Sequence, residues 1–133
     1  MAAWHEPGRP DAMDDDLTLA VVRRFNEAVA RHDVDEMMAA MTDDCLFDNT
    51  SPAPDGEAFR GQSAVRGFWE SFFRSSPAAQ FTTEEEFATG DRAIVLWRYD
   101  WVSNDGSPGH VRGVDVFRIH NGKIAEKRSY VKG

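Results

Sequence analysis

A chain of 133 residues lies within the size of one domain and is long enough to bury a single sizeable core, and its 41% hydrophobic and 29% charged residues exclude an intrinsically disordered protein. A formal net charge of −8 argues against nucleic acid or an anionic membrane as a partner, since both attract through their phosphates. One cysteine, Cys45, cannot form an intramolecular disulfide, and with no long apolar run or signal-type segment the chain reads as cytoplasmic.

Residues 1–13 carry Pro7, Gly8 and Pro10 without a sustained apolar period, so they read as a flexible arm, and residues 14–133 as the domain. From Asp14 to Arg31, Leu17, Val21, Phe25, Ala28 and Val29 recur at helical spacing behind an acidic run suited to a helix N-terminus. Asp33 followed by Glu36 resembles a capping box, and Val34, Met37, Met38 and Met41 form a short second helical stripe. Cys45 to Asn49 reads as a short strand and the Pro- and Gly-containing stretch Thr50 to Gly61 as a loop. Val65, Phe68, Trp69, Phe72 and Phe73 then fall on one face of a third helix, an aromatic surface that needs a partner. Four β-type runs follow, Phe81–Ala88, Ala93–Ser103, His110–His120 and Lys123–Val131, broken by Gly90-Asp91, Asn104-Asp105-Gly106 and Asn121-Gly122. Helices followed by a meander of strands predict an α+β fold with the helices on one face of the sheet.

The polar residues that could carry chemistry each have two readings. Asp48 ends the short strand and is either a solvated or turn-capping carboxylate or, on this signal alone, a weak candidate for chemistry. Asp115 shares a strand face with Gly113, Phe117 and Ile119, so it is either tied by a structural hydrogen bond or exposed in a cavity as a neutral donor. In Trp97-Arg98-Tyr99-Asp100-Trp101 the aromatic residues share one face and Arg98 and Asp100 the other; the pair is a surface ion pair or a polar anchor for a ligand. His5, His32, His110 and His120 show no metal-binding spacing, so no metal is expected, and with no Gly-x-Ser-x-Gly elbow and no evident partner for Cys45 the nucleophile templates fail as well.

Taken together, Val21-Val22-Arg23-Arg24-Phe25, Asp43 through Asp48, Phe59-Arg60-Gly61-Gln62 through Phe68, Val114-Asp115-Val116-Phe117-Arg118 and Gly122-Lys123-Ile124 resemble the ketosteroid isomerase and SnoaL-like branches of the nuclear transport factor 2-like superfamily. The resemblance runs from about Leu17 to Lys132 and implies a cone of three helices and a curved antiparallel sheet around one pocket. It also implies cofactor-independent acid/base chemistry on a hydrophobic carbonyl compound, of the isomerase or polyketide-cyclase kind, with non-catalytic binding as the alternative. Asp48 then matches the general base and Asp115 the protonated oxyanion-hole acid, while the family's oxyanion tyrosine falls at Phe25. Asn49, Trp69, Arg98, Asp100, Phe25 and Phe117 are the expected ligand contacts. Asn49 and Arg98-x-Asp100 are also similar to limonene-type epoxide hydrolases, although the third acid of that site falls at Ser129 and its tyrosine at Phe47. A homodimer formed through the sheet completes the expectation.

Overall fold

The computed structural model describes residues 10–133, with side chains from Asp15 onward. Its elements are α1 (Pro10–Ala30), α2 (Val34–Ala39), β1 (Met41–Asp48), β2 (Ala58–Arg60), α3 (Gln62–Ser75), β3 (Gln80–Thr89), β4 (Arg92–Val102), β5 (Pro108–His120) and β6 (Lys123–Val131). Helix α1 takes in residues 10–13, which the sequence pattern assigns to the arm; residues 1–9 of that arm lie outside the described residues.

Local chemistry accounts for the boundaries. The Asp33 carboxylate caps α2 by accepting from Glu36 N at 3.1 Å, while the Glu36 side chain turns to Arg24 at 3.3 Å, so only half of the capping box forms. The two-residue turn between β5 and β6 has Asn121 and Gly122 at φ +52° and +75°, the left-handed pair that a tight hairpin demands.

Six strands form one curved, unclosed sheet in the order β2-β1-β6-β5-β4-β3. Strands β3 to β6 pair antiparallel, as their short turns require. Three features depart from the sequence reading: Met41, expected on the second helical stripe, instead opens β1, four residues ahead of the expected strand. A short β2 lies in the segment read as loop, and β1 runs parallel to β6, so the sheet is mixed. The hairpin leaves one edge of β6 with unpaired backbone groups, and β1 covers it. Register shifts in β1–β6, β3–β4 and β5–β6 bend the sheet.

The helices close the concave side. Val22, Phe25, Ala28 and Val29 of α1, Met37 and Met38 of α2, and Val65, Trp69 and Phe73 of α3 pack with Phe47, Val95, Phe117 and Ile124 in one core. Each large apolar side chain fully buried there contributes about 1.5–3 kcal/mol. Phe25 and Phe117 are completely buried, in edge-to-face contact at 6.1 Å.

Candidate functional site

Toward the open end of the cone the core gives way to a cavity of about 480 Å³. Alternation on β4 turns Trp97, Tyr99 and Trp101 into it, and α3 supplies Phe68, Trp69 and Phe72 from the facing side. Phe81, stacked on Tyr99 at 4.6 Å, and Phe47, stacked on Trp69 at 5.2 Å, extend these walls. Asn49, Thr50 and Ser51 stand at the end of β1. Burial pushes the Tyr99 phenol above its ordinary value, with a hydrogen bond to Ser76 opposing, so the phenol is neutral at physiological pH and able to donate.

A charged cluster stands within this lining. Strand register places Asp115 opposite Ser129 on one side and Val95 on the other, and Lys127 between Phe117 of β5 and Phe47 of β1. Ser129 Oγ donates to Asp115 Oδ1 at 2.6 Å, Lys127 Nζ lies 3.2 Å from Asp115 Oδ2, and Lys127 Nζ donates to Ser129 Oγ at 3.0 Å. Both side chains of the ion pair are only 8% exposed, so the pair is desolvated and each partner holds the other in place. The ammonium also lies 4.6 Å from the Phe47 ring centroid and 5.6 Å from that of Trp69. Among the described residues, Trp69 Nε1 and Trp97 Nε1 are buried donors without an acceptor, and both residues line the cavity. A ligand bearing acceptor oxygens suits such a lining.

The residues expected from sequence divide sharply. Asp115, Asn49 and Trp69 line the cavity. Asp48 does not: on β1 Phe47 points inward, and Asp48 faces outward to pair with Arg128 at 3.3 Å. Expected general base and expected acid therefore lie on opposite faces of the sheet. Arg98 and Asp100 are likewise outside, joined by hydrogen bonds of 3.0–3.1 Å and about one-third exposed. The hydrogen bond from Arg98 holds the Asp100 carboxyl below its usual value, as in a surface pair. This corrects their assignment as ligand anchors, and with it the epoxide-hydrolase likeness. Phe25 and Phe117 belong to the core and do not reach the cavity. Asp115 accepts from both neighbours, the arrangement of a carboxylate and not of a neutral donor.

Lys127 escaped the sequence reading, and Ser129 entered it only as a missing acid. The signal was a lysine between Ala125 and Ser129 on one strand face, beside a strand carrying Asp115. Among the described residues there is no cluster of metal-ligating side chains, and no helix is long and apolar enough to cross a membrane.

Residues 22–127 match the model of the SnoaL-like domain, and the chain belongs to that family. An NTF2-like protein of unknown function from Mesorhizobium loti is similar over 97% of this chain and 98% of its own, with 36% identity and a TM-score of 0.77. A putative polyketide cyclase from Xanthomonas campestris pv. campestris shares the fold at 19% identity, 90% and 93% coverage and a TM-score of 0.75. A putative ketosteroid isomerase from Kribbella flavida does so at 17% identity, 90% and 81% coverage and a TM-score of 0.77. No curated protein matches.

Proposed function

We propose that this protein binds a hydrophobic carbonyl compound in the cavity and acts on it by cofactor-independent acid/base chemistry, of the isomerase or polyketide-cyclase kind. The observation that carries the reading is the Asp115–Lys127–Ser129 cluster, with its buried ion pair, in the lining of an aromatic cavity. Asp115 takes a proton from the carbon beside the carbonyl, and Lys127, held against it, stabilises the enolate oxygen that develops. Ser129 bridges the two and carries the proton between them. Asp48 has no part in this scheme, because the sheet separates it from the cavity.

The test measures loss of α-hydrogen from 2-tetralone in deuterated buffer by nuclear magnetic resonance. Wild type is expected to exchange faster than buffer, and Asp115→Asn to lose the excess by a factor of about a hundred to ten thousand, the usual worth of a positioned base. Binding without exchange would favour the non-catalytic reading instead. That alternative draws support from Asp115 itself, whose two oxygens already have partners.

The proposal extends to assembly. Leu96, Val114 and Tyr130 stand opposite one another across β4, β5 and β6 on the outer face, with Leu96 and Tyr130 exposed, an apolar row suited to a second copy.

A further inference from the structure

The chain has 15 cationic residues, of which only Lys123, Lys127 and Lys132 are lysines; the rest are arginines. Lys123 and Lys132 are exposed, and among the described residues every outward-facing ion pair on the sheet uses arginine. Among the described residues the single cation lining the cavity is nevertheless Lys127, in a buried ion pair where arginine's planar fork is ordinarily preferred. What lysine offers and arginine does not is a primary amine that can give up its proton and attack carbon.

We propose that Lys127 captures the carbonyl ligand covalently as an imine, a Schiff base, with Asp115 shuttling the proton. This rests on the carbonyl ligand of the acid/base reading and gives Lys127 a different part in it: the iminium nitrogen, not an ammonium beside an enolate oxygen, takes up the electrons when Asp115 removes the α-proton. The ammonium first passes a proton to Asp115 Oδ2, 3.2 Å away, giving a free amine beside a carboxylic acid, a neutral pair suited to an apolar cavity. The amine nitrogen bonds to the carbonyl carbon while the C=O π bond breaks, and the proton held by Asp115, with one from nitrogen, converts the carbonyl oxygen to water. The remaining C–O bond breaks as C=N forms, so carbonyl, amine and the Asp115 acid give iminium, Asp115 carboxylate and water, with no oxidant or reductant consumed. Ser129 Oγ, 3.0 Å from Nζ and 2.6 Å from Asp115 Oδ1, positions both partners and relays the proton to the departing oxygen. The faces of Phe47 and Trp69 beside Nζ favour the iminium cation once it forms. The aromatic walls define the ligand as a flat aryl or polyene ketone or aldehyde.

The experiment incubates the full chain with 2-naphthaldehyde and, separately, 2-tetralone in the presence of sodium cyanoborohydride, then maps reduced adducts by peptide mass spectrometry. Lys127 is expected to be labelled at least about tenfold faster than the exposed Lys123 and Lys132, because the cavity holds the carbonyl against it. Lys127→Arg, which keeps the charge and is checked for folding by its thermal midpoint, should lose that label and leave the other two. Equal labelling of all three lysines, or labelling that spares Lys127, would overturn the proposal. The two readings separate cleanly: α-hydrogen exchange without trapping at Lys127 sinks the imine and leaves the acid/base role, whereas trapping without exchange upholds the imine and sinks that role.

Discussion

Asp115 and Lys127 form an ion pair in which both side chains are only 8% exposed. Removing one partner strands the other charge, so Lys127→Met should lower unfolding stability by about 3–5 kcal/mol, and adding Asp115→Leu should recover most of the loss, read by urea denaturation. Phe25 carries the opposite lesson. A tyrosine there would place a hydroxyl in the core against Phe117, not an oxyanion donor in the cavity, so Phe25→Tyr should cost about 1–3 kcal/mol without creating activity. Cys45 is fully buried, and that burial pushes its thiol above the ordinary value. Its alkylation by iodoacetamide should therefore be slow in the folded protein and rise steeply with denaturant, tracking unfolding.

At the level of elements, one register shift decides which side chains reach the cavity. Counting back from His120 opposite Lys123 would set Asp115 against Arg128; the irregularity between Arg118 and Ile119 moves the pairing by one residue and sets it against Ser129. A one-residue slip reverses the face of every side chain, so Lys127 turns inward while Glu126 and Arg128 turn outward. The strands, their turns and the alternation on β4 and β5 were legible because each rests on local pattern. The bulge was not, since no residue type marks it. Asp48 failed for a related reason: its likeness to a base rests on position in a motif, whereas its face follows from the strand period that turns Phe47 inward. The outward row makes its own prediction. Burial alone raises the Glu126 carboxyl, but Arg118 and Arg128 together outweigh it and hold the carboxyl below its usual value. A lowered folded-state value means stability present above the unfolded one and lost as pH falls through the folded one. The thermal midpoint gap between wild type and Glu126→Gln should thus persist at neutral pH and close in acid below the ordinary glutamate range.

Across the whole molecule, cavity and outer face are two sides of one sheet, and substitutions on one should leave the other intact. On the proposed outer-face dimer, Leu96→Lys should shift sedimentation toward monomer without changing ligand-induced stabilisation, since Leu96 faces away from the cavity. The aromatic character of the cavity was legible in the sequence, as the face of α3 and the stripe on β4. Which polar group would enter it depended on the bulge within the β5–β6 hairpin. The stripe also has a spectroscopic consequence. Three of the four tryptophans, Trp69, Trp97 and Trp101, line the cavity, and Trp4 lies outside the described residues. Most of the intrinsic near-ultraviolet emission therefore originates at the walls of one chamber, and a conjugated guest absorbing in that range would quench it by energy transfer at contact distance, making the unlabelled protein its own gauge of occupancy.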